Sequence, residues 1–216
     1  YSSAASDVYK RQVNLNKRDN LFAATPPFEL KKTLMKLAVT EGIGYQPGRK
    51  HQGMHLAFMD VKKAYYASRS LRDNVYLKLP PGDEEEGMCG KAHQSVPGMR
   101  DAAKSWEIEY STTLKELGMI RSKANPCLFY DPKRNIRVVV HGDDFTILGP
   151  SGSLDWFRTC IAEKFEVKFR GRLGPADDDD KCIRILNRVV QWTGDGIEYE
   201  ADQRRAELIV EQLGLA

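Results

Sequence analysis

At 216 residues, with 41% hydrophobic and 29% charged side chains, the chain has the composition of a globular protein of one large domain or two small ones, which excludes a peptide, a repeat array and a disordered tail. Net charge is +3, from 33 Lys+Arg against 30 Asp+Glu, too small to demand a polyanionic partner. No stretch approaches the roughly 18 uninterrupted apolar residues of a bilayer span, and the first 20 residues lack the apolar core of a secretory signal, so an intracellular, non-membrane protein is expected.

The charge is unevenly placed. Residues 1–72 carry 13 Lys/Arg and 5 Asp/Glu, leaving 20 and 25 for residues 73–216. A basic N-terminal third beside an acidic remainder suits a nucleic-acid surface next to an acidic, metal-binding centre, and equally a mixture of solvated faces. Cys89, Cys127, Cys160 and Cys182 form no CxxC pair, and no histidine pattern completes a zinc site around them. Reduced, mostly buried thiols are expected.

Residues 1–12, YSSAASDVYKRQ, are small and polar without periodicity, and are set aside as an adapter-like or flexible terminus, leaving 13–216 as the domain. After Pro26-Pro27, Leu30, Leu34, Leu37 and Ala38 recur at helical spacing, which predicts a helix over Phe28–Val39 stopped by Gly42 and Gly44. The apolar run His55–Val61 reads as a buried strand that delivers Asp60 at its edge. Val75–Leu79 alternates like a strand and stops at Pro80-Pro81-Gly82, and Asp83–Glu86 reads as an acidic loop. Met99, Ala102, Ala103, Trp106, Tyr110, Leu114 and Leu117 form one apolar stripe, a helix ended by Gly118. Cys127–Tyr130 and Ile136–Val140 predict a hairpin whose second strand runs through His141-Gly142-Asp143-Asp144 into Phe145–Leu148. A helix over Leu154–Phe165, strands near Ile183–Trp192 and Gly196–Glu200, and a helix over Asp202–Leu213 complete an α+β pattern. Asp177–Asp180 reads as a solvated loop rather than a calcium site, because EF-hand spacing is absent, and Trp106, Trp156 and Trp192 read as core residues.

Asp60 ends one strand, and Asp143-Asp144 occupy a tight turn about 80 residues later. Three carboxylates brought together repel unless a hard cation neutralises them, and Mg²⁺ with its preference for oxygen ligands is the natural one. Two such ions roughly 4 Å apart can activate an attacking hydroxyl and steady the leaving oxygen of an in-line phosphoryl transfer. For the Asp-Asp pair alone, a solvated turn is the simpler reading.

Five blocks in order, LAFMDVKKAYY (56–66), VYLKLPPG (75–82), SVPGMRDAAKSW (95–106), LKELGMIRSKANPCLFY (114–130) and VVVHGDDFTILG (139–149), resemble the reverse transcriptase domain of copia-type LTR retrotransposons. The family pattern runs DVKxAFLxG, VYMxQPPGF, SLYGLKQAPRAW, LGFxxSxxDPCLF, YVDDI. The resemblance implies a right-hand polymerase palm with an antiparallel sheet and helices packed on one face, plus partial fingers. It implies an RNA-directed DNA polymerase that uses Mg²⁺ (or Mn²⁺), dNTPs and an RNA or DNA template-primer, working beside other parts of a Pol polyprotein such as integrase and RNase H. Its location would be intracellular, in cytoplasmic virus-like particles with a nuclear stage allowed. Asp60, Asp143 and Asp144 become the catalytic, metal-binding carboxylates, with the Val61 backbone beside a metal. Tyr65 falls where the family places the aromatic beside the sugar 2′-position. Arg100, Asp101, Lys104 and Lys32 fall in segments that meet the incoming nucleotide.

The departures from the pattern leave two readings open. His141-Gly142 stands where the family has an aromatic and Val, and His141 is read as a hairpin residue rather than a metal ligand. Asp101 replaces the usual Gln, a repulsive neighbour for a triphosphate unless Arg100 or Lys104 compensates. No KARLVAKGFxQ-like fingers hairpin is found in residues 13–27, and no RNase H region is expected within these 216 residues. The chain is therefore expected to be either a polymerase domain or a catalytically dead remnant that keeps the palm fold and at most binds nucleic acid.

Overall fold

The computed structural model describes residues 21–49, 52–185, 188–200 and 203–215; residues 1–12, and most of the segment searched for a fingers hairpin, lie outside them. Helix α1 spans Phe28–Val39, as its periodicity predicts, starting behind Pro27 and ending at Thr40. Its buried stripe is Lys31, Leu34, Met35 and Ala38, an i, i+3, i+4, i+7 set in which the first member is charged. Strand β1 (Met54–Val61) is buried along nearly its whole length because it is covered on both faces. Beyond it come a 3₁₀ turn (Ala64–Ala67), a short ribbon of β2 (Tyr76–Leu77) and β3 (Gly90–Lys91), and helix α2 (Ala102–Glu116). The predicted start of α2 at Met99 is too early: Gly98 has φ +94° and the chain turns there before the helix begins.

Strands β4 (Ile120–Arg121), β5 (Leu128–Asp131), β6 (Ile136–His141) and β7 (Asp144–Pro150) follow, then helix α3 (Ser151–Lys164) and strand β8 (Val167–Leu173). These strands and β1 form one sheet in the order β4-β5-β6-β7-β1-β8, antiparallel at every pairing. A second sheet of β9 (Cys182–Ile185), β10 (Arg188–Trp192) and β11 (Ile197–Tyr199) precedes helix α4 (Gln203–Gln212). The stretch read as strands near Ile183–Trp192 is thus two strands of one hairpin.

Alternation along β1 divides the interior. Ala57, Met59 and Val61 join Trp106, Tyr110 and Leu114 of α2 and Phe157 and Ile161 of α3. Leu56 and Phe58 face the other way, to Leu34, Met35 and Ala38 of α1 and to Ile183 and Val190 of the small sheet. Helices therefore cover both faces, not one: the apolar stripe of α1 needs a surface, and α2 and α3 fill the opposite side. Among the described residues, no helix is long and apolar enough to cross a membrane, and all four cysteines are free.

Asp177–Asp180 is not a uniformly solvated loop. The Asp179 carboxylate has no solvent exposure and lies 2.8 Å from His55 Nδ1. It also accepts hydrogen bonds from Arg172 Nε at 3.0 Å and from the Ala176 N–H at 2.9 Å. Burial lowers the His55 pKa against the pull of Asp179, so the neutral ring with its proton on Nδ1 is the donor. A carboxylate met by three fixed donors ties the loop to β1, which explains why an acidic run can be buried.

Candidate active site

The β6–β7 hairpin turns on Gly142-Asp143, with His141 paired to Asp144 across it. Gly142 has φ +63°, whereas among the described residues the non-glycines at positive φ are Lys63 and Asn135. Positive φ at the first central residue alone is the type II′ pattern, which favours glycine there, so the turn itself accounts for Gly142. The turn is held from two sides. Trp106 Nε1–H donates to the Gly142 carbonyl at 2.8 Å, and the Val61 N–H donates to the Asp143 carbonyl at 2.9 Å. Asp60 is the register partner of Asp144, and paired residues of antiparallel strands have Cα atoms about 4.5–5.5 Å apart.

Asp60, Asp143 and Asp144 line one cavity of about 470 Å³, together with Lys31, Arg170 and Arg184. Three carboxylates thus face three cations. The β1–β8 register slips between Phe58 and Met59, so that Phe169 and Gly171 oppose these two neighbours and Arg170 is the extra residue of a bulge. From there Arg170 Nη2 reaches Asp60 Oδ2 at 3.2 Å. Lys31 comes from the buried stripe of α1, 3% exposed. Burial lowers its pKa, against the attraction of Asp144. The Asp144 carboxyl is pushed up, first by burial and then by Asp143, with Lys31 and Arg170 opposing. The His141 ring is pushed down by burial and by Lys31.

Three oxygen donors of this kind, two on adjoining strands and one on the turn between β6 and β7, suit a hard divalent cation in type and backbone position. Their side chains surround the cavity without being gathered: among the described residues, no three His, Cys, Asp or Glu side chains stand as a ready metal cluster. Asp60 is turned to Arg170 instead.

The other predicted residues are spread over two places. Tyr65 sits in the 3₁₀ turn, 37% exposed, and shares a 160 Å³ cavity with Asp143, Trp106 and Pro97. Lys32 points away from the acidic cavity, its Nζ 4.8 Å from the Phe28 ring centroid, and the neighbouring Lys31 takes the place expected for it. Asp101 is buried at 2% exposure. Its partner is Arg72, which donates to both carboxylate oxygens at 3.0 and 2.7 Å, so this charge is neutralised within the fold. Lys104 is held at 3.1 Å by Glu107, and Arg100 is exposed.

Sequence reasoning missed Lys31, Arg170 and the hydrogen bond from Trp106. Lys31 left only an ambiguous signal, because Lys31 and Lys32 both interrupt the apolar pattern of α1 and its packing decides which is buried. Arg170 left none, since its direction depends on a bulge.

Residues 19–176 match the family model described as Reverse transcriptase (RNA-dependent DNA polymerase). The chain is 25% identical over 125 residues to the Retrovirus-related Pol polyprotein from transposon TNT 1-94 of Nicotiana tabacum, covering 55% of this chain and 9% of the relative. It is 27% identical over 117 residues to the Pol polyprotein from transposon RE2 of Arabidopsis thaliana, covering 51% and 8%. Among solved structures, an apo telomerase from Candida tropicalis superposes with a TM-score of 0.47 at 8% identity, over 92% of this chain and 45% of that one. The chain therefore spans less than a tenth of the curated plant relatives it matches. It belongs to the reverse transcriptase (RNA-dependent DNA polymerase) family, of the copia type that its five sequence blocks resemble.

Proposed function

We propose that this chain is the palm, with part of the fingers, of an RNA-directed DNA polymerase that extends a primer with dNTPs on an RNA or DNA template inside a larger Pol polyprotein. The observation that carries the reading is the pairing of Asp60 with Asp144 across neighbouring strands, with Asp143 on the adjoining turn and all three on one cavity. Asp60, Asp143 and Asp144 would hold Mg²⁺ (or Mn²⁺), which when bound supplies Lewis-acid activation of the primer 3′-hydroxyl and charge neutralisation at the leaving pyrophosphate.

The protein's own residues contribute position and field. The Trp106 and Val61 hydrogen bonds fix the turn so that Asp143 and Asp144 are presented in one orientation. Tyr65 would close the space beside a sugar 2′-position, a role supported by its sharing a small cavity with Asp143. Lys31 brings a buried positive charge to the edge of the acidic cavity, a complement for phosphate oxygens. Template and primer would be gripped through their phosphates by surface Lys and Arg, without reading sequence.

Purified chain is expected to extend a primed RNA template with dNTPs and Mg²⁺, with Asp143→Asn abolishing extension and Tyr65→Ala admitting ribonucleotides. The second reading, a remnant without activity, is favoured by one observation: the carboxylates are charge-compensated by Lys31, Arg170 and Arg184 rather than gathered. A folded wild-type chain that incorporates nothing would establish it.

A further inference from the structure

We propose that Arg170 and Lys31 are resident counter-ions of the acidic cavity, which set its affinity for a divalent cation by competing with that cation for Asp60 and Asp144. The inference rests on the reading that these carboxylates are metal ligands, and it concerns what the chain does with them in the absence of metal.

The two cations reach the cavity by different routes and have different freedom. Arg170 is the extra residue of the β1–β8 bulge, so its side chain leaves the ordinary alternation of an edge strand. Its guanidinium stands 3.2 Å from Asp60 with 41% of the side chain exposed, and Asp60 is 19% exposed. A half-exposed arginine on a carboxylate is held weakly and can swing into solvent. Lys31 cannot. It stands one to two helical turns before Leu34, Met35 and Ala38 on the stripe that anchors α1, so its stem is fixed by the core while its charge acts on Asp144.

The charge count carries the consequence. With Lys31, Arg170 and Arg184 facing Asp60, Asp143 and Asp144, the cavity wall is neutral as it stands. A divalent cation entering that wall meets two costs: Arg170 has to leave Asp60, and the remaining positive charges repel the ion. Arg170 is therefore the displaceable part and Lys31 the permanent part. Removing Arg170 frees one ligand and one repulsive charge together. Removing Lys31 subtracts repulsion alone. Arg184 lines the same cavity but makes no ion pair among the described residues, so it serves as the control for general charge.

The test is Mn²⁺ titration of the whole chain, followed by the electron paramagnetic resonance signal of free Mn²⁺, with folding of every variant checked by thermal melting. Arg170→Gln is expected to bind Mn²⁺ about tenfold more tightly than wild type, and Lys31→Met about threefold, for unit charges acting a few ångströms from the ion. Arg184→Gln is expected to change affinity by less than about twofold, its side chain being exposed and its charge screened by solvent. Saturating Mn²⁺ should also raise the melting temperature of Arg170→Gln more than that of wild type. Because Arg170 lies at an exposed edge, its variant keeps the question decidable even if Lys31→Met does not fold. Unchanged or weaker binding in Arg170→Gln, with binding lost in Asp60→Asn, would overturn the counter-ion role and leave the metal reading intact. Wild-type binding in both Asp60→Asn and Asp143→Asn would instead overturn the metal reading, and this inference with it.

Discussion

Two acidic groups in this molecule are easily confused by eye. Asp177–Asp180 is one of two unbroken runs of four carboxylates in the sequence, and its third member, Asp179, is locked in the interior by His55, Arg172 and the Ala176 N–H. Asp60, Asp143 and Asp144 are scattered along the chain, yet a strand pairing and a two-residue turn bring them to one open cavity. The first group has fixed donors that satisfy a buried anion and leave it nothing further to bind. The second is answered by an exposed arginine and by a lysine at a distance, a balance that another cation can upset. Density of charge along a sequence is therefore a poor guide to chemistry, and the nature of the partner is a better one.

The contrast can be broken from the structural side first. Asp179→Ala removes the buried carboxylate that His55, Arg172 Nε and the Ala176 N–H share and leaves the buried His55 Nδ1 without its acceptor, so a loss of about 3 kcal/mol is expected in urea unfolding. Carboxylates of the open cavity should behave oppositely: Asp143→Asn, on an exposed turn, should barely move the unfolding midpoint while abolishing primer extension. Trp106→Phe keeps most of the packing and loses the donor to the Gly142 carbonyl, and should cost about 2 kcal/mol and slow extension, since the turn then wanders. Gly142→Ala meets no neighbour within 4 Å, so its cost is that of a positive φ alone, about 1 kcal/mol by the same unfolding assay.

The mildest expected effect is on pH. His55 has its pKa lowered in the folded state by burial, so it is neutral in both states above its ordinary value of about 6.5. As pH falls below that value, the unfolded chain takes up a proton that the folded chain resists, and stability declines. Denaturation midpoints measured between about pH 7 and pH 5 should fall with pH in wild type, and fall less steeply in His55→Asn.

Much of this was legible in the sequence wherever a single face decides the structure. The apolar spacing of Phe28–Val39 gave α1 its limits, and the stripe through Trp106, Tyr110 and Leu114 gave α2 its buried side. The buried run ending in Asp60 and the apolar stretches around Asp143-Asp144 marked the two strands that matter for the site. Strand β8 was not legible, because VKFRGRL alternates with Lys168, Arg170 and Arg172 and contains a glycine, the composition of a protected sheet edge rather than of a core strand. Nor could spacing choose between Lys31 and Lys32. Adjacent helical residues point about 100° apart, and what α1 packs against decides which of them faces the acidic cavity. The neutralisation of Asp101 by Arg72 depends on a contact between segments far apart in sequence, which no local pattern encodes.

The central claim is that Asp60 and Asp144 act at one centre, and the most direct measurement is the primer-extension rate of Asp60→Asn, Asp144→Asn and the double variant, side by side on one primed RNA template. Groups that work as a unit give losses that do not add, so each single variant is expected to fall to the same residual rate as the double. Substantial extension by Asp60→Asn, or losses that multiply in the double variant, would contradict the account.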